Sequence, residues 1–287
     1  MLPTLIDGLS LGAIYALIAL GYTMVYGIAK MLNFAHGDVI MVGAYAVFST
    51  LMLDTGVISK PLAIVVAIVV CTLLGIGIER FAYRPLRGAS PLAVLITAIG
   101  VSYLLQGAAQ LIYGAKSQTL EFSIPGSLLG INYSTIITLV VATIIMVSLT
   151  IFVKFTKTGR AMIAVSEDRS AAQLMGINVN KIITVTFAIG SALAAFASVF
   201  YLMQIPATSP TLGSMPGIKA FTAAVIGGIG SIPGAMLGGV LLGIIEKLSL
   251  SIPELAPYTT AIEFSLLILI LLVKPTGILG KKRREKV

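Results

Sequence analysis

Apolar runs long enough to cross a membrane follow one another along almost the whole chain, and they leave it one kind of fold. A helix needs about 20 mostly apolar residues to cross the hydrocarbon layer, where every backbone polar group must be satisfied within the segment. Such runs lie near Leu5 to Ile28, Val39 to Leu53, Leu62 to Ile78, Leu92 to Tyr113, Ser134 to Val153, Ile182 to Ile205 and Tyr258 to Val273. Two more, Ile218 to Ile229 and Ala235 to Ile245, are too short to cross comfortably and read as broken, tilted or re-entrant segments. Only 10% of the 287 residues are charged and 57% are hydrophobic, whereas soluble domains carry roughly 25% charged residues. The predicted fold is an all-α, polytopic inner-membrane helical bundle of about eight or nine membrane segments, a single transmembrane domain over residues 1–287. A basic n-region, an apolar core and a small-residue cleavage site do not occur in order at the start, so the first run is expected to stay as a span.

Nine crossings with the last ending inside put the N-terminus outside and the C-terminus in the cytoplasm. That arrangement leaves only Lys60, Lys116, Lys219 and Lys247 of the 19 basic residues outside, as the positive-inside rule requires. The tail KKRREK at 281–286 reads as an orientation and headgroup anchor, so the net charge of +8 points to membrane lipid and not to nucleic acid. Cys71 has no second cysteine to pair with and reads as a small buried hydrophobe. The chain holds no G-x-x-x-x-G-K-[ST] or H-E-x-x-H pattern and no Cys/His metal spacing. No catalytic residue or metal ligand is therefore expected, and the chemistry that powers the protein is expected in another chain.

Lys154 to Lys181 is the long polar interruption, and it contains Arg160, Glu167, Asp168 and Arg169. Ser166 reads as the N-cap of a short helix, with Glu167 and Asp168 at its positive end, Ala171, Leu174 and Met175 on one face, and Gly176 at C′. About two turns of helix are marginal alone in water, so this helix needs a partner surface. The alternative is an ordinary loop joining two spans. A second interruption, Asn33, His36, Gly37 and Asp38, falls between the first two spans. Polar groups at membrane depth are costly and mark a pathway; otherwise the segment is a turn capped by Asn33 or Asp38. His36, the only histidine, is expected to be hydrogen-bonded structurally.

Ser102, Gln106 and Gln110 recur every fourth residue, and Thr184, Ser191 and Ser198 every seventh. Each row either lines a path or bonds neighbouring helices. Gly230, Gly234 and Gly238, followed by Gly239 and Gly243, predict close helix packing. Glu246, Lys247 and Glu263 are expected as solvated or mutually paired charges, and no internal repeat is evident between the halves.

The stretches GYTMVYGIAKMLNFAHGDVIMVGAY, IERFAYRPLRG, GRAMIAVSEDRSAAQLMGIN, KAFTAAVIGGIGSIPGAMLGG and KPTGILG occur in that order between about Gly8 and Gly280. Together they resemble the LivH-type permease subunits of ATP-binding-cassette importers for branched-chain amino acids. The wider group includes permeases for urea and amides and, more distantly, ribose-type sugars. The resemblance implies a LivM-like second permease subunit, two cytoplasmic LivG/LivF-like ATPase subunits and an extracytoplasmic substrate-binding protein. It implies no cofactor in this chain, with ATP and magnesium held by the ATPases. It makes the polar region 154–181 the site of cytoplasmic coupling helices, with Arg160, Glu167, Asp168, Arg169, Ala171, Ala172, Leu174, Met175 and Gly176 as coupling candidates. The family's E-A-A…G pattern falls on Glu167 and Gly176, but Asp168 and Arg169 stand where its two alanines would be. The substrate-pathway candidates are Asn33, His36, Asp38, Ser102, Gln106 and Gln110. The competing readings are a urea or short-amide permease and a gradient-driven secondary transporter in which His36 and Asp38 form a proton-linked pair.

Overall fold

The computed structural model describes residues 2–53, 58–119, 122–128 and 130–280, so the basic tail at 281–286 lies outside the described residues. The described chain is almost wholly helical, with α1 (Leu2–Ala29), α2 (His36–Met52), α3 (Ser59–Ile78), α4 (Pro91–Tyr113) and α5 (Tyr133–Phe155). Two short helices follow, α6 (Lys157–Glu167) and α7 (Arg169–Leu174), and then α8 (Val179–Gln204), α9 (Ser214–Gly227), α10 (Ile232–Ser251) and α11 (Thr259–Val273). Two-residue strands β1 (Gln118–Thr119) and β4 (Ala207–Thr208) pair antiparallel, and β2 (Ser127–Leu128) pairs with β3 (Ile131–Asn132) in a small hairpin. Among the described residues seven segments are long and apolar enough to cross a membrane, and α2 is apolar but shorter. The all-α polytopic bundle is therefore present, with about eight apolar membrane segments among the described residues.

The bundle is built around α1, which is largely buried, whereas α4 and α11 present most of their surface outward. Lipid is as apolar as leucine, so helices associate there through close packing, and small residues decide where they approach. Two glycine rows on α10 bring it against two partners. On one side a Cβ at Gly239 would meet the Ala16 Cβ of α1 at 2.8 Å, and one at Gly243 would meet the Gly8 carbonyl oxygen at 2.7 Å. On the other side Gly234 and Gly238 face Gly227 and Ala223 of α9. Gly230 does not belong to the row: it lies in the turn before α10 with φ +93°, a left-handed position that suits glycine.

The two runs expected to be short part company. The Ser214–Gly227 helix is about 21 Å long at 1.5 Å per residue, too short to cross. The Ile232–Ser251 helix has full spanning length, because it continues through Glu246, Lys247 and Ser249, where the apolar pattern stopped. It can do so because Glu246 is held inside the protein. Tyr15 donates to its Oε2 at 2.7 Å, and Lys219 Nζ lies 2.7 Å from its Oε1. Glu263 joins the same ion-pair cluster, so Glu246 and Glu263 are paired and not solvated.

Both short helices start inside the bundle. The ring of His36, first residue of α2, sits edge-on to Tyr22 at 4.8 Å, and Tyr22 lies about 10 Å along the helix from the end of α1. The chain therefore turns back beside α1 before α2 begins. The first turn of α9 packs on that same point: a Cβ at Gly217 would meet the Gly37 Cα at 2.9 Å. The order of a long helix, a re-entering segment, a short helix and two further helices describes both α1 to α4 and α8 to α11. The α1 and α8 helices run antiparallel, with Gln204 at the end of α8 bonded to Ser10 near the start of α1 at 2.9 Å. The topology thus carries a repeat that residue identities do not, since apolar positions in lipid need match only in size and polarity.

Candidate functional site

Two polar regions on one bundle carry the candidate residues: the break between α1 and α2, and the α6–α7 platform beyond the ends of α1 and α5.

At the break, Asp38 occupies the first turn of α2 and is buried. Gln106 Nε2 of α4 donates to Asp38 Oδ1 at 2.9 Å and to Ser102 Oγ at 3.2 Å. Asp38 therefore forms one cluster with Gln106 and Ser102, which lie one turn apart on the same face of α4. The other pathway candidates lie elsewhere. Asn33 accepts from Tyr83 at 2.9 Å and belongs to a second cluster. Gln110 is exposed on α4, because the four-residue row drifts off the face that carries Gln106, while Ala109 turns inward against Met41 and Tyr45. His36 packs on Tyr22 while Asp38 turns toward α4, so the two do not form a proton-linked pair. In the second polar row Thr184 bonds Glu79 and Ser198 bonds the Ala195 carbonyl within its own helix.

The platform consists of two helices, of which the residue pattern marks out only the second. Thr156 caps α6, its hydroxyl accepting from the Gly159 amide at 3.0 Å. Ser166 is not an N-cap; it lies in the last turn of α6 and donates to the Ile163 carbonyl at 2.7 Å. Glu167 ends α6 and so does not sit at the positive end of α7. Asp168 is the cap, in extended backbone, with Oδ1 accepting from Ser170 N at 2.8 Å and Ala171 N at 3.0 Å. An ionised cap satisfies two otherwise orphan donors and suits the helix dipole. Gly176 follows α7 with φ +81°, the left-handed position expected of C′.

Ala172 faces inward, whereas Ala171 is exposed, Leu174 is 89% exposed and Met175 82%. Arg160 is exposed on α6. Arg169 donates from Nη2 to the carbonyls of Ile28, at 3.2 Å, and Ala29, the last residues of α1. Burial there pulls its guanidinium below the usual arginine value. The platform is thereby tied to the central helix on one side and presents bare apolar side chains on the other.

In the sequence Glu79, Tyr83 and Arg87 stand out only as members of the stretch IERFAYRPLRG. The structure makes them a junction. Residues Glu79–Tyr83 form a π-helical turn after α3, and both Glu79 and Tyr83 are only 1% exposed. Arg87 pairs with Glu79 through Nη2 and with Asn180 through Nη1, and Thr184 donates to Glu79 Oε2 at 2.7 Å. The available signal was the unpaired acid in IERFAYRPLRG: a glutamate at the end of an apolar run needs a partner.

The described residues contain no group of three or more His, Cys, Asp or Glu side chains placed to hold a metal ion. Among the described residues the arrangement offers a polar cluster at a helix break and an exposed two-helix platform. Residues 4–272 match the family described as "Branched-chain amino acid transport system / permease component". The chain is 47% identical to the high-affinity branched-chain amino acid transport system permease protein BraD of Pseudomonas aeruginosa, covering 100% of this chain and 98% of that protein. It is 46% identical to the corresponding permease protein LivH of Escherichia coli, covering 100% and 97%. A solved structure of PsaBC from Streptococcus pneumoniae in complex with Fab aligns with a TM-score of 0.51 and 16% identity, over 96% of this chain and 92% of that one, which is a likeness of fold alone.

Proposed function

The chain belongs to the branched-chain amino acid permease family, and from that premise we propose that it is the membrane-spanning subunit of an ATP-driven importer for branched-chain or other hydrophobic amino acids. The observation that carries this reading is the likeness to two branched-chain permeases along the full length of all three chains. It is a permease and not an enzyme. ATP and magnesium belong to two cytoplasmic ATPase subunits of LivG/LivF type, a LivM-like subunit completes the pore, and a substrate-binding protein delivers the amino acid from outside the inner membrane. The end of the bundle carrying α6 and α7 faces the cytoplasm, with the N-terminus outside, as the distribution of basic residues favours.

In this reading the exposed Leu174 and Met175 seat α7 on an ATPase, with Ala171, Gly176 and the charges of Arg160, Glu167 and Asp168 around them. Closure of the ATPase pair moves the platform, and Arg169 passes the movement to the end of α1. The break beside α1 then shifts between two arrangements, giving alternating access. The buried Asp38, with Gln106 and Ser102, supplies polar partners for the amino and carboxylate groups of the cargo, and apolar walls suit its side chain. The Gly234, Gly238, Gly239 and Gly243 rows keep α10 rigid against α1 and α9 during that motion.

Uptake of radiolabelled leucine into proteoliposomes holding this chain, its candidate permease partner, ATPases and binding protein tests the reading. Uptake that requires the whole set and ATP supports it, and gradient-driven uptake by this chain alone overturns it. Unchanged uptake in both Gln106→Ala and Ser102→Ala would remove the polar lining from the mechanism while leaving the importer intact.

A further inference from the structure

Resting on the importer reading above, we infer that the π-helical turn Glu79–Tyr83 is the relay that carries platform movement to the broken entry of α2, with Glu79 and Tyr83 as positioning residues. The turn is bonded at both ends to the parts that must communicate. At one end Glu79 holds the start of α8: Thr184 donates to its Oε2 at 2.7 Å, while Arg87 bridges its Oε1 to Asn180. The start of α8 moves with the platform, because only Met175 to Asn178 separate it from α7 and the Ile177 amide bonds back to the Ala172 carbonyl at 3.0 Å. At the other end the Tyr83 hydroxyl donates to Asn33 Oδ1 at 2.9 Å, with the Leu32 carbonyl 3.5 Å away. Asn33 lies in the re-entering segment, five residues before Asp38.

Three observations favour a relay over a static clasp. The relay turn is π-helical, a local form that is rare and concentrates at functional sites. Glu79 and Tyr83 are buried, so breaking either bond leaves an unsatisfied group, and the elements on both sides are held to move together. The segment that Tyr83 holds also has room beside it. A cavity of about 530 Å³ lies between Met31 and Leu32 on one wall and Leu86, Arg87 and Leu92 on the other. Met31 and Leu32 therefore border open space on the side that faces Leu86 to Leu92.

The test uses the complete assembly in proteoliposomes, reading leucine imported per ATP hydrolysed in wild type, Tyr83→Phe and Thr184→Val, each also combined with Asn33→Ala. Both single variants keep the packing volume and lose one hydroxyl. The relay predicts that Tyr83→Phe lowers the import-to-hydrolysis ratio by at least about 5-fold while hydrolysis continues. It predicts no further loss from Tyr83→Phe once Asn33 is alanine, because the hydroxyl acts through that side chain. Thr184→Val guards against poor folding of the tyrosine variant and predicts the same drop.

A second reading needs no knowledge of the cargo. The rate of maleimide labelling at Met31→Cys, in a Cys71→Ser background, changes on adding ATP in wild type and stays constant in Tyr83→Phe. An unchanged ratio and an unchanged ATP response in Tyr83→Phe and Thr184→Val, or a full additional loss in the Asn33→Ala background, overturns the relay. A wild-type assembly that shows the ATP-dependent labelling change but imports no leucine overturns the choice of cargo and keeps the relay.

Discussion

Lys219 of α9 and Glu263 of α11 meet inside the bundle, Nζ to Oε1 at 3.2 Å, with Glu246 of α10 on the same ammonium group at 2.7 Å. One cation therefore joins three helices, and Glu263 has no exposed surface at all. Removing one partner of a buried ion pair strands the other charge and costs about 3–5 kcal/mol. The Lys219→Met chain is expected to unfold at a clearly lower temperature in detergent, and addition of Glu263→Gln to recover much of that loss. Equal melting temperatures for wild type and Lys219→Met would show that the cluster contributes nothing to stability.

Gly239 is a contact point between α10 and the buried α1, and any side chain there is driven into Ala16. Gly239→Val is expected to cost about 1–3 kcal/mol or more through overpacking and to yield aggregated material on size-exclusion chromatography. Gly100 makes the control, since a Cβ there meets nothing within 4 Å and alanine is the better helix former. A well-behaved Gly239→Val protein would refute the close approach of α1 and α10.

Leu174 and Met175 are exposed, so replacing them leaves the bundle's packing intact. The Leu174→Asp, Met175→Asp double variant is expected to insert and melt like wild type but to bind the ATPase pair at least about 10-fold more weakly. Pull-down from detergent with the purified ATPases reads this directly, and undiminished association would move the docking surface elsewhere.

Asp168 organises α7 through two backbone amides. Loss of such a cap costs about 1 kcal/mol, so Asp168→Ala is expected to speed hydrogen exchange at Ser170 and Ala171 about 5-fold. Asp168→Asn retains an acceptor and is expected to lie between the two. Identical exchange in all three proteins would mean that packing on Ala172 alone holds the helix.

Much of the platform was legible because its signals are local. Gly176 takes the left-handed conformation its place predicted, and an exposed face bearing Leu174 and Met175 follows from spacing. The exact cap was not, since Ser166, Glu167 and Asp168 are all acceptable caps or first-turn residues. The structure places the break at Asp168, whose extended backbone separates α6 from α7. At the break, the presence of polar residues could be read, but not their grouping. Asn33 and Asp38 are five residues apart and bond to different helices, and a row at four-residue spacing leaves Gln110 outside while Gln106 turns in.

The sequence by itself determined that the protein is a helical membrane bundle, most of the segments that cross, and where an exposed platform interrupts them. Those properties follow from the mean polarity of contiguous residues against the thickness of a bilayer. Only the tertiary structure decided that α2 and α9 both start within the bundle, that the charged run after Gly243 continues α10, and that Glu79 and Tyr83 join distant elements. Each of these depends on which faces meet across the bundle. A buried charge or hydroxyl is tolerated only where a partner from another helix arrives, and that partner is fixed by three-dimensional packing and not by its distance along the chain.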